Sequence, residues 1–293
     1  MRVCVCLGVS DRYDRGAEGL READRFLRGG VLRRGGLVSV AAGLHASFTV
    51  EDATLDGTVD LMRRHRVGLH VHCAEDVSDQ AQSRKRYGLS ALSRLVRHGA
   101  LTSRTLLAHG IHLDGEDLDQ VAAADAMIVH NPESNMNNAV GCAVVPGMLK
   151  RHIVVGLGTD GMASHMPSQM RAAYLLQRHH RRDPRVGFGE AVRMLLAENP
   201  VIAGRFFDER FGELSPGAAG DVILVRYAPP TPLDEGNFGG HLAFGLVHAA
   251  VTATVVGGRV LMLEGRIRGV DEDEIAARSR EQAGKFWRRF HGK

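Results

Sequence analysis

The feature that most constrains the fold is a regular alternation of short apolar segments with amphipathic ones. Strands that alternate with helices are typical of parallel β/α units. Such units are predicted over residues 1–213. Their apolar runs are Val3–Val9, Val38–Leu44, Val67–Cys73, Thr105–Ala108, Ala126–Val129 and Ile153–Leu157.

A polar residue able to take part in chemistry follows each of these runs. In a (β/α) barrel the carboxyl ends of all strands meet at one face, which holds the active site. We therefore expect these side chains to converge. Caps and turns alone would account for Asp11 or Asn131, but not for the repeated histidines. The strand-end residues are Asp11, His45, His72 with Glu75, His109, His130 with Asn131, and Asp160.

Residues 214–293 follow a different pattern. Apolar segments at 250–256 and 260–263, separated by a glycine turn, predict a β-hairpin. The amphipathic segment 271–290 predicts a terminal helix that Trp287 packs down. We therefore predict two domains, a barrel over 1–213 and part of a small β-sandwich with a C-terminal helix over 214–293.

Composition and charge exclude several classes of protein. The 293 residues are 44% hydrophobic and 24% charged, and a net charge of +3 gives no indication of a nucleic-acid partner. The sequence contains no run of about 18 apolar residues, so we expect no membrane span. The four cysteines show no spacing typical of zinc or disulfide frameworks, so reduced thiols in a cytoplasmic protein are expected.

The segment with the most specific chemistry is His70–Glu75, with the sequence HVHCAE. On a strand His70 and His72 point to the same face, and Glu75 lies just past the strand end. Imidazole beside a carboxylate can provide both a ligand and a proton shuttle for a metal-activated water. Taken alone, the segment is equally compatible with two hydrogen-bonded histidines on a strand and an exposed glutamate.

The order of these motifs resembles the amidohydrolase superfamily, in its branch of cytosine-deaminase-like and chlorohydrolase-like enzymes. The resemblance rests on HVHCAE, His109, HNPESNMNNAVG at 130–141 and GTDG at 158–161. The Asn-rich motif is the most specific of these. Together with VSDR at 9–12 and GLHAS at 43–47, it is similar to the SsnA-like aminohydrolases, a subgroup associated with selenium-dependent purine metabolism.

The resemblance implies a TIM-like (β/α)8 barrel that hydrolyses carbon–nitrogen bonds other than peptide bonds. The implied reaction is the deamination of a small heterocyclic amine such as a purine or pterin. The implied cofactor is one divalent metal ion, zinc or iron. His72 and Asp160 match the metal ligands of the family.

Further roles follow from the same resemblance. Glu75 matches the carboxylate that carries a proton from the bound water to the substrate ring nitrogen. His109 matches the histidine that orients the nucleophile, and Asp160 also accepts a proton. His45 and Asn131, with His109, are expected to line the substrate pocket. His70, deeper in the strand, is expected to be a packed core histidine.

The sequence departs from the family pattern at its start. The family carries a further His-x-His pair on its first barrel strand, and here the His-x-His at 70–72 matches the fifth strand instead. Counted back from Asp160 on strand eight, the chain opens at about strand three. We therefore expect an incomplete barrel of strands 3–8 that lacks the first-strand ligands. Because two ligands rarely hold a catalytic zinc, we expect weak metal binding.

Two alternatives stay open. The chain is either an aminohydrolase or a non-catalytic fragment, a half-barrel that needs a partner chain. A dihydroorotase-like enzyme is disfavoured because the fourth-strand position holds His45 and no lysine lies nearby. We expect a small-molecule substrate and no nucleic-acid or membrane partner, and the sequence leaves a homo-oligomer open.

Overall fold

A computed structural model describes residues 1–29 and 36–292 of the chain. The chain divides into two compact units. The first comprises Arg2–Ala218 and Pro229–Val247, and the second comprises Ala219–Ala228 and His248–Lys293 with Met1. In the part of the chain that the structure describes, no helix is both long and apolar enough to cross a membrane.

The first unit is built on a six-stranded parallel sheet. A separate pair, β1 with β3, is also parallel. The sheet has the order β2-β4-β5-β6-β7-β8, so from β4 to β8 neighbouring strands follow one another along the chain. This confirms the predicted β/α architecture. The strands are β1 (Val3–Val5), β2 (Gly8–Val9), β3 (Val38–Val40), β4 (Ala42–Ala46), β5 (Leu69–Cys73), β6 (Thr105–His109), β7 (Met127–His130) and β8 (Val154–Leu157).

Helices connect the strands and continue after β8. Side-chain caps define three of their starts: Asp76, Ser90 and Asp114 each accept a hydrogen bond from a backbone N–H of the first turn. The helices are α1 (Gly16–Arg28), α2 (Asp52–His65), α3 (Val77–Tyr87), α4 (Ala91–Arg97), α5 (Gly115–Ala123), α6 (Pro132–Asn137), α7 (Val145–Lys150), α8 (Met166–Arg181), α9 (Phe188–Arg193), α10 (Asn199–Phe207) and α11 (Phe238–Phe244). A π-helical turn, Met194–Glu198, joins α9 to α10.

The main core lies between the sheet and its helices. Apolar side chains on one face of the strands, such as Val71, Leu107 and Val155, are fully buried. Arg94 is buried beside this core, and its guanidinium donates to the Asp52 carboxylate and to backbone carbonyls of the loop after β4. A buried arginine with all of these partners fixes that loop.

Two predicted elements are wrong in their extent. Val3–Val9 is not one strand, because β1 pairs with β3 and β2 pairs with β4. The chain bends between them against Gly43, where a Cβ atom would lie 2.4 Å from the Leu7 carbonyl oxygen. Val38–Leu44 is not one strand either, because Val38–Val40 (β3) pairs with β1 while Ala42–Ala46 (β4) belongs to the six-stranded sheet.

The second unit is a four-stranded antiparallel sheet followed by a long helix. Its strands are β9 (Val222–Val225), β10 (Val251–Val256), β11 (Arg259–Leu263) and β12 (Arg266–Ile267), in the order β12-β11-β10-β9. The pairing of β10 with β11 confirms the predicted hairpin. The helix is α12 (Glu272–Phe290). The prediction that Trp287 packs this helix down is wrong, since 52% of the residue is exposed.

Candidate active site

Most of the polar residues predicted at the strand ends lie close together at one face of the parallel sheet. Asp11 is an exception, because its carboxylate accepts hydrogen bonds from the N–H of Glu51 and the hydroxyl of Thr54 at the start of α2. The register pairs Ala46 with His72 and Cys73 with His109, so the carboxyl ends of β4, β5 and β6 finish at nearly the same level. Polar side chains that follow parallel strands at the same level converge on one site. All of the predicted site residues belong to this group.

The centre of the group is His109, the last residue of β6. Its Nε2 atom lies 3.6 Å from Oε2 of Glu75 and 3.8 Å from Oδ2 of Asp160. One donor atom of each of these three residues lies within 4.8 Å of the other two. One imidazole and two carboxylates at this separation make a set of donors that can hold a divalent metal ion.

The neighbours of His109 determine which ring nitrogen faces the carboxylates. Its Nδ1 lies 2.9 Å from Oδ1 of Asn135, an acceptor, so Nδ1 carries the proton. The amide nitrogen of Asn131 lies 3.5 Å from the same Nδ1, and this longer contact does not change the assignment. Nε2 therefore presents a lone pair to the cluster, as in histidines that bind metals. The backbone of His109 has φ of 75°, an unusual conformation of the kind found at active sites.

His72 is oriented in the same way. Its Nδ1 donates to the backbone carbonyl of His45, which leaves Nε2 as the free acceptor. Its ring stacks on that of His109, with 5.5 Å between the centroids and 28° between the planes. The ring centroid of His45 lies 5.7 Å from that of His72. Nδ1 of His45 lies 3.0 Å from Oγ1 of Thr49. Burial, helped by the positive charge of Arg12, lowers the pKa of His45, so this imidazole is neutral near pH 7.

Asp160 lies in the loop after β8, and its surroundings favour the ionised form of its carboxyl group. Burial pushes the pKa of its carboxyl upward, but hydrogen bonds from Ser134 (2.5 Å) and from the N–H of Gly161 (2.7 Å) outweigh this effect and leave the pKa below its usual value. Its backbone also lies in the left-handed region, with φ of 50°. An ionised carboxylate in a fixed position is a suitable ligand for a divalent cation.

Glu75 is positioned by the backbone that precedes it. Ala74 has φ of 52°, and its N–H donates to the buried carboxylate of Asp79 at 2.5 Å. The carbonyl of Ala74 accepts from the N–H of His112 at 2.9 Å. Beyond this turn, Oε1 of Glu75 accepts from Nδ2 of Asn138 at 3.2 Å, and the other carboxylate oxygen faces His109. One carboxylate oxygen of Glu75 is therefore held by a hydrogen bond, while the other faces the cluster.

His70 lies below the cluster on the same face of β5. It is half-buried and lines an apolar cavity of about 350 Å³ together with Cys6 and Leu106. It is therefore not enclosed in the core as predicted. Burial lowers the pKa of His70 to about 4, with a smaller contribution from His72.

Three residues of the site were not singled out in the sequence. Ser134, Asn135 and Asn138 hydrogen-bond to Asp160, His109 and Glu75, respectively. All three belong to the Asn-rich motif at 130–141, and helix α6 presents them to the cluster. The sequence did mark this segment, since the Asn-rich motif is the most specific in the chain. Which side chain each motif residue contacts depends on the position of α6 in the fold.

The parallel β/α sheet, with this cluster at the carboxyl ends of its strands, has the arrangement of a (β/α)-barrel protein of the amidohydrolase type. A match to the Amidohydrolase family covers residues 1–261, so the chain belongs to the amidohydrolase family. This confirms the resemblance at the level of the family, while the SsnA-like subgroup stays a prediction.

Curated relatives with similar sequences are named as deaminases. The 5-methylthioadenosine/S-adenosylhomocysteine deaminase of Desulforudis audaxviator is 32% identical over 98% of this chain and 67% of its own length. The enzyme of the same name from Desulforamulus reducens is 29% identical, again over 98% of this chain and 67% of its own length. The chain thus spans about two thirds of the length of these relatives.

Similar solved structures show the same fold. An adenosine deaminase from Xanthomonas campestris with bound zinc superposes with a TM-score of 0.79 at 22% identity, over 97% of this chain and 66% of that one. The atrazine chlorohydrolase TrzN from Arthrobacter aurescens, complexed with zinc, gives a TM-score of 0.72 at 22% identity, over 89% of this chain and 60% of that one. The predicted amidohydrolase-type barrel fold is therefore confirmed, while the absence of its first strands stays a prediction.

Proposed function

We propose that the chain is a metal-dependent aminohydrolase that removes the amino group of an adenosine-like heterocycle. The observation that carries the proposal is the cluster of Glu75, His109 and Asp160, with His72 stacked against it. The names of the curated relatives support the choice of an adenosine-type base.

The residues present are suitable for a divalent metal ion. His72 and Asp160 would hold the ion, because the imidazole has its Nε2 free and the carboxylate is ionised. Zinc suits a site of nitrogen and oxygen donors, and when bound it would lower the pKa of a coordinated water to about 7. His109 adds a second imidazole, with Nε2 lying 3.8 Å from Oδ2 of Asp160.

The other side chains account for the proton transfers of a deamination. Glu75 lies beside the cluster with one oxygen fixed by Asn138 and the other facing inward, so it can accept a proton and deliver it to a ring nitrogen. Protonation of the ring is needed before ammonia can leave. His109, fixed by Asn135, has Nε2 free to accept a hydrogen bond from the attacking water and so to orient it. His45 and Asn131 would bind the heterocycle.

Zinc-dependent release of ammonia tests this function. The purified chain would be stripped with a chelator, reloaded with zinc, and mixed with adenosine, 5′-methylthioadenosine or a pterin. We expect ammonia from the adenosine-type compounds with the zinc-loaded chain and none with the stripped chain. Equal release from both samples, or none from the zinc-loaded chain, would contradict the proposal.

One observation favours a second candidate, a half-barrel that is active only with a partner chain. Within residues 1–29 and 36–292, β2 and β8 are each paired on one side only. Exposed strand edges invite pairing with another polypeptide. Ammonia release that appears only after a second polypeptide is added would favour this candidate over independent activity.

A further inference from the structure

The side chain that holds the turn before Glu75 lies on helix α3. Asp79 is only 2% exposed, and its Oδ2 accepts a hydrogen bond from the N–H of Ala74 at 2.5 Å. Ala74 is itself fully buried and has a left-handed backbone, with φ of 52°. A residue other than glycine keeps this conformation only when its surroundings fix it. Asp79 is therefore part of what keeps the chain turned at Ala74.

A second contact from α3 reaches the same turn through the loop after β6. The carbonyl of Ala74 accepts from the N–H of His112 at 2.9 Å, and Nε2 of Gln80 donates to the carbonyl of His112 at 2.8 Å. Oε1 of Gln80 accepts from the N–H of Ala91, so this amide is held at both ends. Two neighbouring residues of α3 thus hold the two sides of Ala74, Asp79 directly and Gln80 through His112.

The carboxylate of Asp79 acts on the N–H groups of two successive residues. Burial raises the pKa of Asp79 to about 6, and the N–H groups of Ala74 and Glu75 partly oppose this rise. The carboxylate is therefore mostly ionised at pH 7, and a charged acceptor makes a stronger hydrogen bond than a neutral one. Both N–H groups belong to the turn that places the Glu75 side chain, so the stronger hold acts on that turn.

We propose that Asp79 is a positioning residue, which fixes the turn at Ala74 and so aims the Glu75 carboxylate at the cluster. This role rests on the proposed function, in which Glu75 carries the proton. The side chain of Glu75 is 29% exposed, and Asn138, which donates to it, is itself an exposed residue. A fixed placement of Glu75 therefore depends on the buried backbone before it, which Asp79 holds. Displacement of a catalytic group by about 1 Å can cost about 100-fold in rate.

A pair of substitutions tests whether Asp79 acts through Glu75. In the wild-type background, Asp79→Ala is expected to lower kcat for ammonia release from adenosine by about 10- to 100-fold, with KM and zinc content nearly unchanged. In the Glu75→Gln background the same substitution should lower the residual kcat by less than about 3-fold, because the side chain that it positions no longer transfers a proton. Equal losses in the two backgrounds would overturn the proposal, because a purely structural role affects both.

Two further variants separate the hydrogen bond from the packing of α3. Asp79→Asn should keep most of the turnover, because its amide oxygen can accept from the same N–H. Ser83→Ala is the matched control: Ser83 lies one turn further along α3, is equally buried, and its Oγ makes no hydrogen bond within residues 1–29 and 36–292. A loss in either variant as large as that in Asp79→Ala would overturn the proposal.

The outcomes also separate the positioning role from the proposed function. If Asp79→Ala does not fold, Asp79→Ser takes its place in both backgrounds, because its side chain is too short to reach the N–H of Ala74. A normal kcat in Asp79→Ala beside a large loss in Glu75→Gln overturns the positioning role alone. Full kcat in Glu75→Gln, or a zinc-loaded wild type that releases no ammonia, overturns the proton transfer by Glu75 and the positioning role with it.

Discussion

Replacing Glu75 with Gln is expected to lower turnover by about 10²- to 10⁴-fold, the usual contribution of a general acid–base group. Glutamine keeps the shape of the side chain and the contact with Nδ2 of Asn138, but it cannot carry a proton. Because Glu75 is assigned to proton transfer, the zinc content should stay the same. Steady-state ammonia release and the zinc content of the same sample are the measurements.

The control for this substitution is Glu116→Gln. Glu116 is an exposed carboxylate in the first turn of α5 and is not one of the residues of the cluster. Its replacement should leave both turnover and zinc content unchanged. Turnover that survives in Glu75→Gln would exclude the proton-shuttle role, and a loss of zinc in that variant would instead make Glu75 a ligand.

Replacing His72 with Ala is expected to lower the affinity for zinc by more than about 100-fold, since removal of a ligand costs more than the 10- to 100-fold typical of outer-shell changes. The substitution removes a ring whose Nδ1 is fixed by the His45 carbonyl and whose Nε2 is free. Competition with a chromophoric zinc chelator measures the affinity.

His70→Ala is the matched control for His72→Ala. Both histidines lie on β5 with their rings 5.8 Å apart, but His70 lines the apolar cavity below the cluster. We expect His70→Ala to retain zinc. If His70→Ala lost zinc as strongly as His72→Ala, the assignment of the two histidines would be wrong.

Much of the fold could be predicted because strand periodicity and strand-end chemistry reinforce each other. The strands β5, β6 and β8 belong to one parallel sheet, and His72, His109 and Asp160, at or just after their carboxyl ends, lie close together as predicted. Parallel strands fix this outcome, since any residue at a carboxyl end must lie at the same edge of the sheet.

The remaining features depend on contacts that no local pattern encodes. The break between β1 and β2 arises where the backbone passes against Gly43, far along the chain. The tautomer of His109 depends on Asn135, which only the position of α6 brings near. Trp287 looked like a packing residue because aromatic side chains are usually buried, yet its helix presents it to solvent.

The most direct test of the account is to locate bound zinc in crystals of the chain by anomalous scattering at the zinc edge. We expect a peak at the carboxyl ends of the strands, within about 2.0–2.2 Å of Nε2 of His72 and a carboxylate oxygen of Asp160. A zinc-soaked crystal with no peak at this cluster, or with its peak only at histidines elsewhere on the surface, would contradict it.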